Sequence, residues 1–277
     1  MKKILLLALL AGICATAQAQ KFYARAGVGY AFTHAGQIGG TTPSTQQLSP
    51  FISGSLTGGL TGSDFTIKKV SFSTGPAVRV AGGYMFSKNI GIDLEGSFYL
   101  TPAEHKLTVN AAGNTSTTTY TQKATLPILL TPALVLQSGG NKLNAYTRFG
   151  ITLPLSAKTQ DEVNTVYNDS SRSSLLIKST QSPRFSIGFS AAAGVKYRLA
   201  SKLSVWAEAS LLSMSLYAKE SELTERAING VNNIDLIPQD QRIYKYEFTG
   251  NTANSAYYTY SVPFSNIATC IGISYDF

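Results

Sequence analysis

Ile267-Ala-Thr-Cys-Ile-Gly-Ile-Ser-Tyr-Asp-Phe277 closes the chain, and its side chains alternate. Ile267, Thr269, Ile271, Ile273, Tyr275 and Phe277 form one row, apolar except for Thr269. Ala268, Cys270, Gly272, Ser274 and Asp276 form a second row of small or polar residues. A period of two marks a β-strand, whose successive side chains point to opposite faces. Such a strand fits either the edge of a soluble sandwich or the wall of a barrel in a bilayer.

The other end of the chain separates these two. Met1-Lys-Lys3 is basic, Ile4–Ala17 is apolar apart from Thr16, and Ala17-Gln-Ala19 is a small-x-small cleavage site. Residues 1–19 therefore read as a secretory signal peptide. Cleavage after Ala19 leaves a mature domain over residues 20–277, starting at Gln20. The apolar run is too short for a membrane helix, which takes about 20 residues. Cys14 would be a lipid-attachment site only after a small residue, and Ile13 stands there.

No later stretch is long and apolar enough to span as a helix. Hydrophobic residues make up 44% of the chain and charged residues 14%, below the roughly 25% charged content of soluble domains. An exported chain with few charges, 24 Gly, 15 Tyr and 13 Phe fits a transmembrane β-barrel, which hides its hydrophobicity in alternation. Of the formal charge of +8, Lys2 and Lys3 of the leader supply two, leaving +6. The basic residues are scattered and Lys68-Lys69 is the one mature pair, so no nucleic-acid partner is expected. Cys270 is the single cysteine left after cleavage. It can form no internal disulfide and reads as a small buried barrel residue.

Alternation recurs along the chain. It covers Lys21–Phe32, Val70–Phe86, Ile90–Leu100, Leu143–Leu155, Phe185–Leu199 and Leu203–Tyr217. Ala124–Leu136 is more evenly apolar. Pro127 and Pro132 interrupt it and predict a bulge or break, because proline cannot donate to a ladder. The terminal strand is expected to begin near Tyr257, with a change of phase at Phe264-Ser265. Three connections are short: Ser87-Lys-Asn89, Gln137–Lys142 and Ala200-Ser-Lys202. Four are long and rich in Thr, Ser, Asn and Gly: Thr33–Thr74, Thr101–Lys123, Ser156–Arg184 and Ala218–Ala256. Short periplasmic turns opposite long extracellular loops are the barrel signature.

The fold class is therefore all-β: an antiparallel up-and-down transmembrane barrel of eight strands, with both termini periplasmic. A ten-stranded barrel is the alternative, with Gly250–Ser255 as its extra turn. Eight membrane strands use only about 80 to 90 residues, so much of the chain lies outside the bilayer. Tyr244, Tyr246 and Phe248 alternate with Lys245 and Glu247 and read as a projecting hairpin.

The inward rows carry the charges: Arg25, Arg79, Asp93, Glu95, Arg148, Lys196, Arg198, Glu208 and Asp276. An eight-stranded barrel is just wide enough to be filled by its own side chains. These charges must then pair, giving a structural plug in preference to an open pore or an acid–base pair at Asp93 and Glu95. Gly27-Val-Gly29 lies inside a strand and makes room for large interior neighbours; it is no phosphate loop. Phe22, Tyr84, Phe86, Tyr197, Tyr275 and Phe277 read as a girdle at the periplasmic interface. His34 and His105 read as solvated loop histidines above strand ends. No nucleophile motif accompanies either, and two histidines without cysteines make no metal site. No catalytic, cofactor-binding or metal-ligating residue is expected, and no cofactor.

The signal peptide, the terminal Ile271–Phe277, Gly82-Gly-Tyr-Met-Phe86 and Ile90-Gly-Ile-Asp-Leu-Glu-Gly-Ser-Phe98 together resemble the small outer-membrane β-barrel family of Gram-negative bacteria, the OmpA-like and porin-like domains. The resemblance implies a cell outer-membrane location and contact with its lipids and lipopolysaccharide. It also implies recognition of the C-terminal strand ending in Phe277 by the barrel-assembly machinery. No peptidoglycan-binding domain follows the barrel, so cell-wall anchoring is not implied. The expected function is a non-enzymatic, monomeric barrel serving membrane integrity and surface interaction through its loops. A narrow porin-like channel for small solutes is the alternative, and a rim-histidine lipid hydrolase a distant third.

Overall fold

The computed structural model describes residues 21–34, 37–38, 68–110, 115–169, 173–246 and 261–277. The leader read over residues 1–19, the Gly250–Ser255 turn and the Glu247-Phe248 end of the hairpin lie outside them.

The strands in chain order are β1 (Lys21–Thr33), β2 (Gln37–Ile38), β3 (Lys68–Lys69), β4 (Gly75–Met85), β5 (Ile90–Tyr99), β6 (Glu104–Asn110), β7 (Ser116–Ala124), β8 (Ile128–Gln137) and β9 (Leu143–Ser156). There follow β10 (Thr159–Tyr167), β11 (Leu175–Pro183), β12 (Gly188–Arg198), β13 (Leu203–Ser213), β14 (Ser215–Ile228), β15 (Val231–Asn232), β16 (Ile243–Lys245), β17 (Ser261–Pro263) and β18 (Asn266–Asp276). Eight of them close a barrel in the order β1-β18-β13-β12-β9-β8-β5-β4. The first and last strands pair antiparallel from Tyr23↔Asp276 to Thr33↔Asn266. That seam leaves no edge for two further strands, so the ten-stranded alternative is wrong.

Each barrel strand obeys the period of two. In β13, Ser204, Trp206, Glu208, Ser210 and Leu212 are buried in the lumen, while Leu203, Val205, Ala207, Ala209 and Leu211 face outward. Phe22, Val28, Phe32, Ile92, Leu94, Phe149, Ile151, Phe189, Ile271 and Ile273 are likewise exposed on the outside. An apolar belt around a whole barrel far exceeds the few hundred Å² of patch that a soluble monomer carries; it is a lipid-facing surface. Among the described residues no helix is long and apolar enough to cross a membrane. Aromatic pairs mark the short-turn end: Phe22 with Tyr84, Tyr84 with Phe86, and Tyr275 with Phe277. Lys142 and Lys202 lie over Tyr197 and Tyr275 there, as an interfacial girdle requires.

Proline disturbs β8 as expected. Its register with β9 slips between Ile128 and Leu129, and Thr131 and Pro132 have no ladder partner on that side, although the Thr131 and Thr152 hydroxyls bond at 2.9 Å. Pro132 still sits opposite Leu94 of β5. Its ring faces lipid.

Three expectations are corrected. Where described, the long connections after β5, β9 and β13 are largely strand extensions of the barrel. β6, β7, β10, β11 and β14 continue β5, β8, β9, β12 and β13 beyond the barrel. They form a sheet in the order β15-β14-β11-β10-β7-β6, with β16 and β17 also on β14. Ile243–Lys245 pairs with β14 and does not project alone. Second, Val70–Thr74 is not strand. Gly75 has φ +101°, a left-handed backbone open to glycine, and it turns the chain sharply into β4. Third, the membrane strand at the C-terminus begins at Asn266 and not near Tyr257. Phe264, Ser265 and Asn266 are buried in succession, which is the phase change expected at Phe264-Ser265. It separates β17 from β18.

Candidate functional site

The lumen holds the densest cluster of charged side chains, and five strands build it. β1 and β4 bring in Arg25 and Arg79, β5 and β9 bring in Asp93, Glu95 and Arg148, and β13 brings in Glu208. All six side chains are buried. Arg25 pairs with all three carboxylates, through Nη1 to Glu208 at 3.0 Å and Nη2 to Asp93 at 3.6 Å and to Glu95. Arg148 Nη2 donates to Asp93 Oδ1 at 3.0 Å, and its Nη1 donates to Glu95 at 2.9 Å and reaches Glu208 at 3.3 Å. Arg79 Nη1 reaches Glu208 at 3.4 Å and donates to Ser210 at 2.9 Å. Three cations thus meet three anions. At this depth that balance matters, since an uncompensated buried charge costs several kcal/mol.

Aromatic side chains complete the network. Tyr23 donates to Asp93 at 3.1 Å and Tyr146 to Glu208 at 3.1 Å. The Arg25 guanidinium lies 4.9 Å from the centre of the Trp206 ring. Gly27 and Gly272 make that possible: a Cβ on either would come within 2.7 Å of Trp206 Cζ2. The inward position of these aromatics followed from the alternation. Their service to the carboxylates did not, because it depends on which strands closure brings one strand apart.

Lys196 and Arg198 do not join this network, contrary to expectation. They lie nearer the short-turn end of β12. Lys196 pairs with Asp276 at 2.7 Å, and among the described residues Arg198 meets no carboxylate.

A second closure lies toward the long-connection end. Val70, Ser71, Phe72 and Ser73 are almost fully buried. Phe72 joins an apolar cluster with Tyr99, Leu129, Met214, Leu216, Val262 and Phe264. Asn266 Nδ2 donates to Ser73 O and Oγ at 2.8 Å and to Tyr99 at 2.9 Å, and Ser73 Oγ donates to the Phe264 carbonyl. No sequence signal marked this segment, because Val70 and Phe72 continue the alternation of the strand that follows.

The histidines divide. His34 is exposed. His105 is not a solvated loop residue: it belongs to β6 and is half-buried. Its Nε2 lies 3.3 Å from the Ser71 carbonyl, and its ring meets Phe72 edge-on. Burial lowers its pKa, against the opposing pull of that hydrogen bond. In the outer sheet, Asp161 of β10 is buried between Gln122, which donates to it at 2.8 Å, and Gln181. Among the described residues no cation neutralises it, and burial raises its pKa to about 7. Cys270 is free and buried. Among the described residues no group of His, Cys, Asp and Glu could hold a metal ion.

Among solved structures the chain is similar to the outer membrane protein OprG from Pseudomonas aeruginosa, at 13% identity over 94% of this chain and 96% of that one, with a TM-score of 0.42. It is similar to the E. coli outer membrane protein W at 18% identity, over 94% and 98% of the two chains, with a TM-score of 0.35. It is also similar to Ail, the attachment invasion locus protein of Yersinia pestis, at 7% identity over 93% and 97%, with a TM-score of 0.30. No curated protein matches the sequence significantly. Residues 5–231 match the sequence profile of the outer membrane protein beta-barrel domain, and with a closed eight-stranded antiparallel barrel behind that match, the chain belongs to this family of outer-membrane barrels.

Proposed function

We propose that this protein is a closed, non-enzymatic barrel that serves outer-membrane integrity and presents its outer sheet for surface contact. The observation that carries this reading is the six-residue charge network across the lumen. Guanidinium groups bonded to carboxylates at 2.9 to 3.4 Å fill the cross-section of so narrow a barrel. The apolar cluster around Phe72 and Phe264 supports the same reading at a second level.

In this reading the leader is removed after Ala19. The short turns and both termini face the periplasm, and the sheet of β6, β7, β10, β11 and β14 stands outside the cell. The apolar belt contacts membrane lipid and lipopolysaccharide, the protein acts as a monomer, and the strand ending in Phe277 is what the assembly machinery reads. Planar-bilayer recording of the refolded protein tests the closed lumen. The expected trace is flat, with rare brief openings. A large steady conductance would overturn the reading in favour of a narrow channel for small solutes.

A further inference from the structure

At the short-turn end, below the charge network, the barrel encloses a cavity of about 330 Å³. That size lies within the usual range of small-molecule pockets and would hold about ten waters. Apart from Nε of Arg25 and of Arg148, whose guanidinium groups are held by carboxylates, three polar atoms in its lining lack partners. Arg198 Nε is buried without a hydrogen bond, as are Asn144 Oδ1 and Ser274 Oγ. Asn144 and Ser274 are 6% and 3% exposed, so bulk water does not serve them. Buried polar groups in native proteins are nearly always paired, and a cluster of unpaired ones points to a missing partner.

The local charge defines that partner. Arg25 and Arg148 on the cavity floor are taken up by Asp93, Glu95 and Glu208. Lys196 and Asp276 neutralise each other. Arg198 and Lys88 at the rim remain, so the cavity carries excess positive charge. A guanidinium offers a planar fork that matches carboxylate and phosphate oxygens. A free amide oxygen and a free hydroxyl call for O–H groups beside that anion.

We propose that this cavity binds a small hydroxylated oxyanion, a carboxylate or phosphate on a polyol frame. Arg198 holds the oxyanion, and Asn144 and Ser274 hold hydroxyls. The site opens at the barrel end opposite the outer sheet, and it does not require the lumen to conduct. Its placement in the periplasm rests on the topology proposed above; binding in micelles does not depend on it.

Trp206 lines the cavity and is the single tryptophan of the chain, so its emission reports on this site. The refolded barrel in detergent micelles is titrated with gluconate and with glycerol 3-phosphate, which separate carboxylate from phosphate. Inorganic phosphate lacks the hydroxylated frame, and glycerol lacks the charge. The expected result is a saturable emission change with at least one of the two hydroxylated anions, weaker binding of inorganic phosphate, and none of glycerol. Arg198→Gln should weaken binding roughly tenfold or more, the loss expected of a charge-assisted hydrogen bond. Asn144→Ala should weaken the hydroxylated anions and leave inorganic phosphate unchanged. Gel mobility before and after boiling verifies that each variant is folded, and Arg198→Lys, which keeps the charge but loses the fork, should bind with intermediate affinity. No saturable change with either anion, an equal response to glycerol, or undiminished affinity in folded Arg198→Gln or Arg198→Lys would overturn the site. Inorganic phosphate binding as tightly as the hydroxylated anions would overturn the hydroxyl assignment.

Discussion

Arg25 and Glu208 lie 183 residues apart in the chain, yet Arg25 Nη1 donates to Glu208 Oε2 at 3.0 Å inside the lumen. Neither strand alone dictates this contact. β1 and β13 are both neighbours of β18, so closure of the barrel places their inward rows one strand apart. Glu208 also meets Arg79 and Arg148 and accepts from Tyr146. It is the carboxylate on which the first prediction turns.

Glu208→Ala should lower stability in urea by about 3 to 5 kcal/mol, because it leaves three buried arginines facing two anions. Replacing Arg25 and Glu208 together by Met should cost less than Glu208→Ala alone, since no charge is then stranded. Urea unfolding of the refolded barrels checks both. Equal stability of Glu208→Ala and wild type would remove Glu208 from the network.

Phe72→Ala should cost about 3 to 5 kcal/mol, the usual range for emptying a buried aromatic site. Phe72 is fully buried, although its segment has no strand ladder around it. Its amide donates to Pro263 O at 2.9 Å. Hydrogen exchange at Phe72 should therefore be slow in wild type and fast in the variant. Rapid exchange in wild type would mean that the segment is not packed over the lumen as described.

The barrel was legible in the sequence because lipid and lumen impose opposite demands on alternate residues. Phe22 and Ala24 against Tyr23 and Arg25 record those demands directly. The outer sheet was hidden because its buried face mixes an apolar cluster of Tyr120, Val163, Ile177 and Leu223 with polar residues. Thr118, Gln122, Asp161, Thr165 and Gln181 bond to one another there, so β7 and β10 show little apolar period. The threonines of Ser116–Ala124 carried a strand preference, but not the side they face. The unpaired state of Arg198 depends on the register of β12 against β9 and β13, which composition does not encode.

Asp161 should make the outer sheet sensitive to pH. Its carboxyl titrates at about 7 in the folded protein and at about 3.9 in an unfolded chain. The folded state therefore holds the proton more tightly. The stability it contributes is full below about pH 4, declines as pH rises, and is lost above about pH 7. Protection factors for the amides of Thr159–Thr165 should fall between about pH 5 and pH 8 in wild type and stay level in Asp161→Asn. A level profile in wild type would show that the Asp161 carboxyl does not titrate in this range.

Deleting Phe277 should impair assembly in cells far more than it alters the finished barrel. The Phe277 ring is 66% exposed and meets Tyr275 at 5.2 Å, so little packing depends on it. Its amide donates to Phe22 O at 2.9 Å, a bond worth about 1 kcal/mol net. The β1–β18 seam from Tyr23↔Asp276 onward does not involve it. The refolded truncated barrel should thus unfold in urea within about 1 to 2 kcal/mol of wild type. If the terminal aromatic is what the assembly machinery reads, its yield in the outer membrane should fall severalfold over the same comparison. Normal membrane yield would remove Phe277 from recognition. A comparable loss in refolding without any machinery would assign the residue to the stability of the seam instead.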